Sequence, residues 1–132
     1  MLKKINVRTK SRTEFIDITR EIRRIVKESG ISDGIVTVFI PHTTAAVTIN
    51  ENADPDVVSD IIMEINKIIP FHDSYKHFEG NSAAHIKSSL FGVSESIIIA
   101  DGELLLGTWQ GIYFCEFDGP RHRKVFVKIN AG

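Results

Sequence analysis

The chain has 132 residues, 42% of them hydrophobic, with 16 basic and 17 acidic side chains and a formal net charge of −1. That is one domain, residues 1–132, with enough apolar content for a packed core and too much for disorder. The charge balance excludes a global nucleic-acid footprint and a charged tail, and no apolar run approaches the roughly 18 residues of a membrane span.

Cys115 is the single cysteine, so no intramolecular disulfide forms, which fits a reducing compartment. The opening MLKKINVRTKSRTEF lacks the apolar stretch of a signal peptide. The expectation is a cytoplasmic protein with no nucleic-acid or membrane partner.

Residues 2–8 alternate weakly as a strand, and Glu14–Ile18 reads as a second. Ile18, Ile22, Ile25 and Val26 then recur at helical spacing, and Ser29-Gly30 closes that helix. Residues 34–40, GIVTVFI, are apolar on both faces and predict a fully buried strand ended by Pro41. Residues 44–49 predict the next strand. Asp54-Pro55 is a strong helix start, with Asp as N-cap and Pro in the first turn. Val57, Val58, Ile61, Ile62, Ile65, Ile68 and Ile69 form one apolar face before Pro70 stops the helix.

Residues 71–81 read as a loop, and Ser82 caps a short helix over 83–91 that Gly92 ends. A β-rich half follows: 95–100, a turn at Asp101-Gly102, 103–106, 109–117, a turn at Asp118-Gly119-Pro120, and 122–129. The order predicts an α+β fold dominated by antiparallel sheet, two sheets with helices packed alongside, two main helices and one short one.

Three segments carry polar residues that such a fold does not call for. In PHTTAAVTINENADPD, His42 stands at a strand end, and Asn50, Glu51, Asn52 and Asp54 crowd a helix N-terminus. Asn52 and Asp54 are also what a turn and a cap require. In HFEGNSAAHIKSS, His77 and His85 flank Glu79-Gly80-Asn81, with Lys87 and Ser88 placed to meet a phosphate or to form a solvated helix face. In GTWQGIYFCEF, alternation puts Trp109, Gly111, Tyr113, Cys115 and Phe117 on one face and Gln110, Ile112, Phe114 and Glu116 on the other. Cys115 reads as a buried, inert thiol. The turn Arg121-His122-Arg123-Lys124 is either an exposed hairpin end or an anion contact.

HTTAAVTINENADPDV, HFEGNSAAHIKSSLFG and GELLLGTWQGIYFCEFDGPR, in that order, resemble the YjbQ family, also called uncharacterised protein family 0047 or the secondary thiamine-phosphate synthase family. The resemblance runs from about residue 2 to 130. It implies an α+β fold of mixed, mostly antiparallel sheets in a sandwich-like arrangement, assembled as a homotrimer with weak thiamine-phosphate synthase activity. That reaction joins a hydroxymethylpyrimidine diphosphate to a thiazole phosphate and releases pyrophosphate, so the implied partner is a small phosphorylated metabolite. With that resemblance, His42, His77 and His85 become candidate ligands of a divalent metal, zinc or another transition ion. Magnesium would instead favour Glu51, Glu79 or Asp54 with the substrate phosphates.

Glu51, Glu79 and Lys87 are the expected catalytic groups. Asn50, Asn52, Asp54, Ser88, Gln110 and Arg123 are the expected substrate contacts. The competing expectations are a metal-dependent hydrolase with Glu51 or Glu79 as base, and a non-enzymatic trimer that binds a metabolite or metal.

Overall fold

The computed structural model describes residues Met1–Gly132. It arranges them as β1 (Leu2–Arg8), β2 (Glu14–Asp17), α1 (Thr19–Ser29), β3 (Gly34–Phe39), β4 (Ala45–Glu51), α2 (Pro55–Ile68), α3 (Ser82–Phe91), β5 (Ser94–Ala100), β6 (Glu103–Leu104), β7 (Gln110–Glu116) and β8 (His122–Ala131). The fold is α+β, and every strand pairing is antiparallel.

A five-stranded sheet runs β1-β8-β3-β5-β6, and a three-stranded sheet runs β2-β7-β4. The inner faces of the two sheets meet in one core, where Val36, Val38, Val125 and Val127 of the large sheet face Val47, Ile112 and Phe114 of the small one. Helix α1 adds Ile22, Ile25 and Val26 to that core. Its apolar residues recur every three to four positions, which places them on one helix face.

The outer face of the small sheet builds a second core from Ala46, Tyr113, Cys115 and Phe117, with Ala84 of α3 and the half-buried Phe15, Val58 and Phe91 packed against it. Strand β7 is therefore buried on both sides, Ile112 and Phe114 toward one core and Tyr113 and Cys115 toward the other. That is the division the alternation predicts. Cys115 is fully buried, and burial pushes its thiol up.

Three local expectations need correction. Strand β3 is not buried on both faces: Ile35 and Phe39 are 47% and 43% exposed, because nothing is layered on the outside of the large sheet. Helix α2 has the predicted apolar stripe, yet none of its residues is fully buried. Ser82 does not cap α3; Asn81 holds the cap position, and its side chain makes no capping hydrogen bond. No helix is long and apolar enough to cross a membrane.

Candidate functional site

Strand β3 ends at Phe39, and the chain turns through Pro41, His42 and Thr43 before β4 begins. The loop after α2 returns with His77 and Glu79, α3 starts at Ser82, and the β7–β8 turn brings Asp118 and Arg121. These segments enclose an open cleft of about 770 Å³, lined by 14 residues of which only 3 are hydrophobic. Its polar wall includes His42, His77, His85, Arg121, Arg123 and Asn81.

Each imidazole is held differently. His42 Nε2 accepts the Lys124 N–H at 2.9 Å, so its remaining proton sits on Nδ1. Burial and then the Arg123 guanidinium hold its pKa below the ordinary 6.5, which keeps the ring neutral with one N–H to offer. His77 and His85 stand edge to face with ring centroids 5.6 Å apart, and Glu79 lies 3.9 Å from His77 Nε2. No three His, Cys, Asp or Glu side chains approach closely enough to hold a metal ion. His42 Nε2 is already engaged by the Lys124 N–H. As arranged, the three histidines share a cleft but do not form a ligand set.

Beneath the cleft lies a buried ion pair. Arg123 is 5% exposed and Glu116 is fully buried. Arg123 Nε donates to Glu116 Oε1 at 2.8 Å, and its Nη2 bonds both Glu116 Oε2 and Thr44 Oγ1. Glu116 also accepts from Thr9 Oγ1 and the Asp118 N–H. Burial alone would raise the Glu116 carboxyl. The bonds from Arg123, the Asp118 N–H and Thr9 outweigh it and hold the pKa below 4.5. The expectation of Arg123 as part of an exposed hairpin end is thus overturned: a guanidinium this deep is stable because a carboxylate meets it. Arg121, two residues earlier, is the exposed cation of this wall, with Nη2 3.2 Å from Asp118 Oδ2.

Of the other expected site residues, only Ser88 stays near the histidines, in a pocket beside the cleft that His42 and His85 also line. Lys87 is fully buried and lines none of the cleft. Its Nζ donates to Asn66 Oδ1 and sits 4.1 Å from the centre of the Phe71 ring, which Arg12 also approaches at 4.5 Å. Burial and then the charge of Arg12 push its pKa down to about 8. It is neither a solvated lysine nor a group facing the cleft. Ser88 donates to the Ala45 carbonyl at 2.6 Å and pins α3 to β4.

Asn50, Glu51, Asn52, Asp54 and Gln110 gather at the far end of the small sheet. Asn50 Oδ1 accepts from the Glu51 N–H, Glu51 from the Asp54 N–H, and Asp54 caps α2 through the Asp56 N–H. Gln110 accepts the Gly107 N–H, and Asn52 donates to Asp17. Gly111 is needed there, because an added Cβ would fall 2.4 Å from the Asn52 amide nitrogen.

Sequence reasoning missed Glu116, Thr44, Asn81 and Asp118. For Glu116 a signal existed: an acidic residue on a strand face shared with Ile112 and Phe114 demands a buried partner.

The chain matches the family model described as UPF0047 protein YjbQ-like over residues 3–132. The chain belongs to the YjbQ family. It is 52% identical to UPF0047 protein YugU of Bacillus subtilis, over 98% of both chains. It is 56% identical to UPF0047 protein MJ1081 of Methanocaldococcus jannaschii, over 98% of this chain and 94% of that one.

A crystal structure of an uncharacterised YjbQ/UPF0047 family protein from Clostridium acetobutylicum superposes with a TM-score of 0.96 at 59% identity, over 97% and 99% of the two chains. A Sulfolobus solfataricus YbjQ-like protein does so with 0.96 at 34% identity, over 100% and 97%. That protein is itself called one of unknown function. The YjbQ relatives therefore establish family and fold, and the reaction has to be argued from the cleft.

Proposed function

We propose that the cleft binds a phosphorylated small molecule and that the chain is a thiamine-phosphate synthase-like transferase. One observation carries this reading: three histidines and two arginines, His42, His77, His85, Arg121 and Arg123, converge on one cleft that only 3 hydrophobic residues line, with Glu79 and Asp118 as its carboxylates. The first turn of α3 opens beside Asn81 with no side-chain cap, so its free N–H groups and positive dipole end add to the same field. In the transfer, the thiazole nitrogen attacks the methylene carbon of the pyrimidine diphosphate. The C–O bond breaks, and the electron pair leaves with pyrophosphate. Arg121 and the Nδ1–H of His42 would stabilise that departing charge. Glu79 beside His77 would orient the imidazole, and Lys87 is left out of the chemistry.

The reading includes a cytoplasmic homotrimer. It is tested by pyrophosphate release, which must require both substrates. Release from the diphosphate alone would indicate a hydrolase, and binding without release a metabolite-binding trimer. Arg121→Ala should weaken pyrophosphate binding in calorimetry by about 1.5–3 kcal/mol, the range for one charge-assisted hydrogen bond.

The pairing of His77 with His85 favours one second reading, in which a divalent metal assists. It requires His42 to release the Lys124 N–H and turn Nε2 toward the pair. Zinc titration of wild type and His42→Ala decides: equal affinity removes His42 from any metal site.

A further inference from the structure

The expected site residues fall into two groups at opposite ends of the small sheet. In its ladder Ala45 pairs with Glu116 beside the cleft, and Glu51 pairs with Gln110 at the other end. Six residues of strand separate them, roughly 20 Å at 3.3 Å per residue. No single chain can bring both groups to one small molecule.

The two ends are complementary in charge and in shape of exposure. The cleft end displays Arg8, Arg121 and Lys124, all exposed, around its three histidines, against two carboxylates, Glu79 and the Asp118 that pairs with Arg121. The far end clusters Asp17, Glu51, Asp54 and Asp56, with Arg20 and Arg23 beside Asp17 as its cations, and those first two carboxylates, after burial, raise the pKa of Tyr113. Each end also leaves two large apolar side chains in water. At the cleft these are Phe39 and Phe78, the latter 94% exposed; at the far end they are Leu105 and Trp109, 61% and 63% exposed. The cleft is open, with Thr43, His77 and Glu79 exposed, whereas small-molecule sites bury most of their ligand.

We infer that the far end of one copy of this chain closes the cleft of the next, so that Trp109 and Glu51 of a neighbour complete a site begun by His42, His77 and His85. The inference rests on the homo-oligomer proposed above and names its contact surfaces. The contact is head to tail, because different surfaces meet, and head-to-tail contacts generate closed rings when their rotation allows. A neighbour's Trp109 would cover the cleft and extend the apolar surface that Phe39, Ile40 and Val93 begin, and its carboxylates would meet the exposed cations at the rim.

The test co-expresses two differently tagged chains, Thr43→Cys and Trp109→Cys, and treats them with a short bismaleimide. Cys115 is buried and its thiol is pushed up, so it stays unreactive in both. A mixed-tag linked dimer from the co-expressed pair, with none from either variant alone, is the expected result. Because Trp109→Cys removes an anchor, the experiment is repeated with Gln110→Cys, which leaves Trp109 in place. Light scattering on the same samples separates the two claims. An oligomer with no mixed link in either pairing overturns the composite site, as do links within one variant alone. A monomer mass for wild type overturns the oligomer and this inference with it.

Discussion

Arg123 and Lys87 are the two basic side chains this fold buries completely or nearly so, and they are housed in opposite ways. Arg123 meets a carboxylate that is itself saturated by Thr9 and the Asp118 N–H. Lys87 meets only an amide oxygen and the face of a ring, with Arg12 nearby as a like charge. The first arrangement fixes a charge; the second makes a charge easier to lose. The difference follows from geometry. Glu116 and Arg123 flank one tight turn, so their side chains meet, whereas Lys87 lies inside a helix whose neighbours are α2 and the loop behind it.

The sharpest way to break the contrast is Glu116→Gln. It leaves the Arg123 charge buried without its counter-charge and should cost about 3–5 kcal/mol in urea unfolding. Replacing both partners, as Glu116→Leu with Arg123→Met, should recover most of that loss, since exchange of a whole buried pair for apolar groups is often neutral or better. Recovery of nothing would mean that the network's bonds to Thr9 and Thr44 matter more than its charges.

Lys87→Met should behave differently, raising rather than lowering stability at pH 7, because it removes a buried charge that has no counter-charge. The pH dependence sharpens the same point. The folded pKa of Lys87, about 8, lies below its ordinary 10.5, so between those values the unfolded chain binds more protons. Its contribution to stability is therefore fully present above pH 10.5 and is lost as pH falls to 8. Glu116, also depressed, contributes above its ordinary 4.5 and loses that contribution as acid is added. The alkaline rise should vanish in Lys87→Met and the acid loss should shrink in Glu116→Gln. The smallest effect is expected on binding: Lys87→Ala should leave pyrophosphate affinity unchanged, in contrast to Arg121→Ala.

The elements that position the cleft were legible because they depend on local signals: the period of Ile22, Ile25 and Val26, the Asp54-Pro55 start, and the alternation along β7. The cleft was half legible. His42, His77 and His85 are brought together, yet Lys87 of the same motif points the other way, because four-residue steps on a helix decide which face a side chain takes. Asn50, Glu51 and Asn52 lie eight to ten positions from His42 in sequence, and a strand carries them to the opposite end of a sheet. No local pattern announces that Glu116 will find Arg123, since the partner is set by the turn at Asp118-Gly119-Pro120. The exposure of β3 and α2 escaped notice for a related reason: an apolar stripe states that a face wants cover, not whether the same chain supplies it.

The Phe71 ring has a consequence for how much freedom the cleft's loop retains. Phe71 is gripped by Arg12 and Lys87, Tyr75 donates to the Pro70 carbonyl, and Asn81 is tied to Asp118. The span from 71 to 81 is therefore tethered at both ends, and only residues 76–80, the ones carrying His77 and Glu79, lie between the tethers. Lengthening that free stretch is entropically mild, about 0.6 kcal/mol for each doubling. Extra residues between Pro70 and Tyr75 would instead pull the Tyr75 hydroxyl away from the Pro70 carbonyl. Among homologous chains, insertions should accordingly collect after Tyr75 and be absent before it.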